Sequence, residues 1–286
     1  MNVNRILVVG SGIMGGGIAY ASAIGSFETI ICDIKQGSLD KAKEYIEGVL
    51  EKGVNRNKIT VEQKEAANNN ISYTTDLKLA AEKADFVIEA VPEVKAIKQQ
   101  VFEQLDKYTR EEVILATNTS TMSPTEIGSY TKRPEKVIAM HFFNPVPLMR
   151  LVEIARGLET SDETAGDVKA VASQMGKETV LINEFPGFVT SRISSMVGNE
   201  AFNMLMEGVG TPEEIDKAIE LGLNYPMGPF KLGDLVGLDT RLNNLEYLHT
   251  TLGERFRPSP LLVKYVKAGR LGRKTGKGVY DYNDES

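Results

Sequence analysis

Histidine and cysteine are scarce in this chain, which has two of the first and one of the second among 286 residues. A single thiol excludes an internal disulfide framework, and Cys32 sits in an apolar run where a small buried thiol is the ordinary expectation. No Cys/His cluster exists to hold zinc. Long apolar runs are missing too: none approaches the roughly 20 residues of a membrane span, and MNVNRILVVG is too short in apolar residues for a signal sequence. A cytoplasmic protein with no membrane partner is expected. Basic residues number 33 against 39 acidic, a net charge of -6 with no basic tract, so nucleic acid is not an expected partner. There is no internal repeat, and length alone favours two domains.

What the chain does contain begins with a strand-like run, Ile6 to Val9, that enters Gly10-Ser11-Gly12-Ile13-Met14-Gly15 and then a helix-like IAYASAIG. Strand, glycine turn and helix stand in the order of a dinucleotide fingerprint. The first glycine permits the tight turn, the second lets a pyrophosphate approach the backbone, and the third lets helix and strand pack closely, with the helix N-terminus facing the anion. A second strand, Thr29 to Cys32, ends on Asp33, 18 residues after Gly15, where a carboxylate can accept both hydroxyls of an adenosine ribose. The same carboxylate repels a 2′-phosphate, so NAD is favoured over NADP, with Lys35 close by as the opposing signal.

The stretch Ala139 to Glu153, AMHFFNPVPLMRLVE, holds one of the two histidines. Val137–Phe143 and Arg150–Ile154 read as strands joined by Asn144-Pro145-Val146-Pro147. His141 and Glu153 lie six residues either side of Pro147. A hairpin centred there sets them opposite each other, with Cβ atoms about 4.5–5.5 Å apart. An imidazole oriented by a carboxylate can take a proton from an alcohol; the same pair can equally be a buried histidine satisfied by a structural acid. His249, among Leu245, Tyr247 and Leu248, suits a surface or cap role.

Between these stretches, LDKAKEYIEGVLEKG has helical spacing and is followed by a basic loop at Asn55 to Lys58. Lys52, Arg56 and Lys58 read either as a solvated face or as a receiver for a phosphorylated ligand. Strands follow at Ile71–Thr75 and Asp85–Val91, with a short helix through Leu77 to Lys83 between them. Glu93 and Lys98 then fall outside the carboxyl end of a strand, where ligands of a doubly wound sheet lie. Val113 to Ala116 leads into Thr117-Asn118-Thr119-Ser120, with Ser123 placed to cap a helix at Pro124. A helix at Ser161 to Met175 and a strand at Thr179 to Ile182 complete the alternation. The expected architecture is α/β: a Rossmann-type doubly wound, mostly parallel sheet over 1–185 and a smaller all-helical C-terminal domain over 186–286. That domain reads as helices at Phe188–Glu207, after the capping box Thr211-Pro212-Glu213-Glu214, at Asp234–Leu252 and at Pro260–Lys267. Four amphipathic segments cannot bury all their apolar faces alone, so a homodimer through this region is expected.

On GSGIMGGGIA, the NTST element, HFFNPVPLMRLVEI, PGFVTSRI, NYPMGPFKLGDLVGLD and GRLGRKTGKGVYDY, the chain resembles the bacterial 3-hydroxyacyl-CoA dehydrogenases, in particular the short-chain 3-hydroxybutyryl-CoA type. The resemblance covers nearly all of the chain, and HFFNPVP with its following Glu is far more specific than the glycine loop. It implies an NAD-dependent interconversion of L-3-hydroxyacyl-CoA and 3-ketoacyl-CoA thioesters within butyrate and fatty-acid metabolism, by an enzyme with no fused hydratase. It also implies His141 as general acid/base, Glu153 as its orienting partner and Ser120 as a donor to the C3 oxygen. Asp33, Glu93, Lys98, Ser120 and Asn144 would line the cofactor, together with Lys274 of the tail. Lys52 and Arg56 fall in the region that contacts coenzyme A. One position departs: where the family has Asn in PGFVVNR to help hold the substrate oxygen, this chain has Ser191, a shorter donor. Two alternatives stand beside this reading, a dehydrogenase of a free hydroxy or sugar acid and an NAD-binding protein of reduced activity.

Overall fold

A computed structural model describes residues 3–282 of the chain. It divides into two compact units, Met1–Glu184 and Phe185–Ser286.

The first unit alternates strand and helix: β1 (Arg5–Val9), α1 (Ile13–Ile24), β2 (Glu28–Cys32), α2 (Gln36–Asn55), α3 (Val61–Asn69), β3 (Ile71–Thr74), α4 (Leu77–Lys83), β4 (Phe86–Glu89), α5 (Lys95–Tyr108), β5 (Ile114–Thr117) and α6 (Pro124–Gly128). Then come β6 (Val137–Phe142), β7 (Leu151–Arg156), α7 (Asp162–Gln174) and β8 (Glu178–Asn183). The eight strands form one sheet in the order β3-β2-β1-β4-β5-β6-β7-β8. All neighbours are parallel except β6 and β7, which the proline turn folds back antiparallel. Because successive side chains of a strand point to opposite faces, each buried strand feeds two cores. Ile6, Val8, Ile31, Ile88, Met140 and Ile154 pack on one face with α1, α2 and α7. Leu7, Val9, Val87 and Leu115 pack on the other with Phe102 and Leu105 of α5. The doubly wound, mostly parallel sheet is therefore as expected.

The helix α3 went unread in the sequence. Its apolar content is small, but Thr60 accepts from the Gln63 N–H and the Gln63 side chain accepts from the Thr60 N–H, a complete capping box at Thr60-Val61-Glu62-Gln63. The cap at Ser123 with Pro124 following is present.

The second unit holds α8 (Thr190–Met206), α9 (Pro212–Gly222), α10 (Pro229–Val236), α11 (Leu238–Leu252) and α12 (Pro260–Lys267) around Phe202, Phe230, Leu245, Leu248 and Phe256. The capping box at Thr211 forms. Two readings are corrected. The first is the single helix expected over Asp234–Leu252, which is two helices broken at Gly237, whose φ of 105° no helix accommodates. The second is the start of α8, which lies two residues later than expected because Phe188 sits at a φ of 47°.

Candidate active site

Sheet order reverses between β1 and β4, and a crevice outside the carboxyl ends of the strands at such a switch is where ligands bind. The glycine turn lies here. Gly10 has a φ of 97°, and a Cβ on it would stand 2.6 Å from the Ala90 carbonyl oxygen, so the turn after β1 abuts the turn after β4. At Gly15 a Cβ would meet the Gly10 oxygen at 1.9 Å, so only glycine lets α1 start this close to its strand. Gly12 behaves oppositely: a Cβ there meets nothing within 4 Å. That open backbone beside the start of α1, with Ile13 exposed and Met14 half-buried, fits a pyrophosphate. Asp33, at the end of β2, accepts from the Ser11 N–H at 2.9 Å, the Ser11 hydroxyl at 2.8 Å and the Lys35 N–H at 3.1 Å. These three donors fix the carboxylate at the edge of the turn, where the residues present suit the ribose of a dinucleotide.

Beyond β4 lies a buried ionic cluster that sequence reading found only in part. Lys98 and Glu89 are both fully buried, with the ammonium 2.8 and 2.9 Å from the two Glu89 oxygens and 3.2 Å from Glu93. Glu89 also accepts from Thr117 at 2.6 Å and from the Val91 N–H at 2.7 Å. Burial pushes the Glu89 carboxyl above its ordinary pKa, while Lys98 and these donors pull it back. Glu93 accepts from the Thr119 and Thr121 hydroxyls and from the Ser120 N–H. The cluster thus ties Glu93, Lys98 and Ser120 together at the carboxyl ends of β4 and β5. Glu89 escaped notice because a single acid inside the apolar run DFVIEAV reads as strand interior.

The ends of β5 and β6 are joined by Asn118, whose side-chain oxygen accepts from the Phe142 N–H at 3.0 Å. One residue earlier on β6 is His141. Its register partner across the antiparallel pair is Glu153, and His141 Nδ1 lies 2.7 Å from Glu153 Oε2. The spacing about Pro147 therefore produces the facing pair it requires. Both residues are buried, Glu153 wholly, on the sheet face opposite Met140 and Ile154. Phe143 packs against the imidazole with ring centroids 4.5 Å apart.

Two features hold the turn that carries Asn144. A Cβ on Gly17 would stand 2.8 Å from Val146 Cβ, so glycine lets α1 lie directly against the turn. Lys177 donates to the carbonyls of Val146 at 2.6 Å and Met149 at 2.9 Å, and its burial lowers the ammonium pKa. Neither residue was singled out from sequence, because each acts through a contact distant along the chain.

The remaining residues lie on other elements. Lys52 and Arg56 are exposed around the C-terminal end of α2. Ser191 is half-buried in the first turn of α8, and Lys274 donates to both Asp239 oxygens at 2.6 and 2.7 Å, all within the second unit. His249 lies 3.1 Å from Glu254 near the surface, in the peripheral role expected of it. Among the described residues no group of acids, histidines and cysteines is placed to hold a metal ion, and no helix is long and apolar enough to cross a membrane.

Comparison with known proteins identifies the family. Residues 5–185 match the family described as 3-hydroxyacyl-CoA dehydrogenase, NAD binding domain, and residues 187–282 match 3-hydroxyacyl-CoA dehydrogenase, C-terminal domain. The chain is 44% identical over 283 residues to the 3-hydroxybutyryl-CoA dehydrogenase of Clostridioides difficile, covering 98% of this chain and 99% of that one. It is 41% identical over 281 residues to the protein of the same name from Bradyrhizobium diazoefficiens, covering 98% and 96%. The crystal structure of (S)-3-hydroxybutyryl-CoA dehydrogenase from Ralstonia eutropha matches with a TM-score of 0.95 at 40% identity, over 99% of this chain and 100% of the other. With a dinucleotide turn, a paired histidine and full-length relatives in agreement, the chain belongs to the 3-hydroxyacyl-CoA dehydrogenase family of NAD-dependent oxidoreductases.

Proposed function

We propose that this enzyme interconverts acetoacetyl-CoA and (S)-3-hydroxybutyryl-CoA, with His141 as general acid/base. The observation that carries the reading is the 2.7 Å contact between His141 Nδ1 and Glu153 Oε2. A carboxylate on Nδ1 fixes the tautomer with its proton there, which leaves Nε2 as the nitrogen that accepts a proton from the C3 hydroxyl. When Nε2 takes that proton, the imidazolium forms beside a buried Glu153, whose charge stabilises it strongly in a water-poor setting. In the reductive direction Nε2 returns the proton to the C3 oxygen as the ketone is reduced. NAD supplies the hydride acceptor, and NADH the donor, when bound at the Gly10–Gly15 turn.

Gly10, Gly12, Ile13, Met14 and Gly15 are assigned to the pyrophosphate, Asp33 to the ribose, and Glu93, Lys98, Ser120, Asn144 and Lys274 to the rest of the cofactor. Ser120 is also assigned to the C3 oxygen, Ser191 is the helical unit's candidate for holding the same oxygen, and Lys52 and Arg56 are assigned to coenzyme A. Asp33 makes NADH the preferred donor over NADPH, since a 2′-phosphate would approach a fixed carboxylate. The protein is proposed to act in the cytoplasm, in short-chain acyl-CoA metabolism, and to form a homodimer through Phe185–Ser286. Exposed Val189, Ile193, Leu221, Leu223 and Val236 in that unit support self-association.

Coenzyme A dependence tests the reading. NADH oxidation measured with acetoacetyl-CoA should be fast and with free acetoacetate slow; the reverse order rejects a thioester substrate.

A further inference from the structure

The ionic cluster at the carboxyl ends of β4 and β5 carries an excess of negative charge. Glu89 Oε1 accepts from the Lys98 ammonium at 2.8 Å and from the Val91 N–H at 2.7 Å, and its Oε2 accepts from Lys98 at 2.9 Å and from the Thr117 hydroxyl at 2.6 Å. All of these neighbours donate, and the Thr117 oxygen is itself 3.5 Å from the ammonium, so Glu89 is held as a carboxylate. Glu93 is held the same way, by Lys98 at 3.2 Å, the Thr119 and Thr121 hydroxyls and the Ser120 N–H. One ammonium therefore stands against two carboxylates, and among the described residues no second cation lies within ion-pair reach of either acid. Lys95, one turn earlier on α5, is paired with Glu126.

Sheet order decides which end of the cofactor this charge acts on. Asp33 on β2 suits the adenosine ribose, the glycine turn after β1 suits the pyrophosphate, and the strands run β2-β1-β4-β5-β6. A dinucleotide lies across the switch point with one half on each side. The nicotinamide half thus belongs over β4 and β5, on the way to His141 on β6. Glu93 is the acid that faces solvent there, whereas Glu89 and Lys98 are fully buried behind it. The nicotinamide ring is also the part of the cofactor whose charge changes, being positive in NAD⁺ and neutral in NADH.

We infer that the Glu89–Lys98–Glu93 cluster selects the oxidation state of the cofactor: its excess negative charge, acting through Glu93, strengthens the binding of NAD⁺ relative to NADH. A fixed charge placed where the opposite charge develops also favours the step that develops it. As a hydride passes with its electron pair from the ring to C3 of the ketone, and His141 gives its proton to the oxygen, the ring becomes positive beside this cluster. The reductive direction is the one it assists. The inference deepens the function proposed above and rests on its placement of the cofactor, but its test needs no substrate.

The test titrates NAD⁺ and NADH separately into the full-length protein by isothermal calorimetry. The pyrophosphate and both riboses are common to the two forms, so the ratio of the two affinities isolates the ring. A unit charge several ångströms from a cation is worth roughly three- to thirtyfold at the effective dielectric of a half-exposed site, so Glu93→Gln should raise the Kd for NAD⁺ by that factor and leave that for NADH nearly unchanged. Glu93→Asp keeps the charge and should keep the ratio. Glu89→Gln should move the ratio in the same direction; Glu93→Gln leaves the buried Glu89–Lys98 pair in place and decides the question if Glu89→Gln fails to fold. Asp33→Asn, at the adenosine end, should weaken both forms by one factor and leave the ratio alone. Equal weakening of both forms in Glu93→Gln overturns the inference, because Glu93 would then act on a part that the two forms share; unchanged affinities for both overturn it as well. A parent inactive on every thioester counts against the function proposed above, while the cofactor titrations still decide the role of the cluster.

Discussion

Lys98 is the single positive charge between two acids at the end of β4, and replacing it exposes how much Glu89 depends on it. Removing one member of a buried pair typically costs about 3–5 kcal/mol, because the remaining charge has neither water nor partner. Lys98→Met should therefore lower stability by roughly that amount in chemical denaturation at neutral pH. The pH dependence has a definite sign. Burial already raises the Glu89 pKa, and without the ammonium it rises further. A carboxyl that holds its proton more tightly folded than unfolded favours the folded state at low pH and loses that advantage as pH rises above its unfolded value, about 4.3. The variant should thus be less stable at pH 8 than at pH 5, and equal stability at both would show that Glu89 is not the cause. Glu153→Gln tests the neighbouring pair: an amide can present the wrong partner to Nδ1, and amidating an orienting acid lowers kcat by up to about 10⁴-fold. Ser191→Asn restores the longer donor and should raise turnover with acetoacetyl-CoA; a variant no faster than the parent would remove Ser191 from the reaction.

Among the elements, α1 and the turn after β6 are coupled through Gly17. Since a Cβ there would lie 2.8 Å from Val146 Cβ, Gly17→Ala must displace the turn or the helix. Overpacking of this kind costs about 1–3 kcal/mol, and kcat should fall as well because Asn144 and His141 flank the displaced segment. Thermal melts and steady-state rates on the same preparation check both parts. What could be read in advance at this scale follows the same physics. Strands buried on both faces announce themselves as apolar runs, and the hairpin register follows from a turn placed midway between His141 and Glu153. The helix α3 was illegible to apolar spacing because only its capping box marks it. Gly237 was illegible for another reason: a lone glycine inside a helical pattern is normally tolerated, and only its positive φ reveals that α10 and α11 are separate. Lys177 and Gly17 matter through partners about 30 and 130 residues away, which no local pattern contains.

For the whole molecule, net charge and substrate charge have the same sign. The chain carries -6, and coenzyme A is a polyanion, so binding needs a local region of opposite sign. The residues proposed for it, Lys52 and Arg56, are exposed at the end of α2. Neutralising both as Lys52→Gln and Arg56→Gln should raise KM for acetoacetyl-CoA roughly tenfold and flatten its dependence on salt, because exposed charges are screened over about 10 Å at 0.1 M. An unchanged KM would move the coenzyme A contact elsewhere. The claim on which the rest depends is that His141 moves the proton while NADH is held independently. Loss of NADH absorbance with acetoacetyl-CoA, followed for the parent and for His141→Gln beside a fluorescence titration of NADH, measures both at once. The account predicts a rate about 10²–10⁴-fold lower in the variant with NADH affinity retained; a variant as fast as the parent would contradict it.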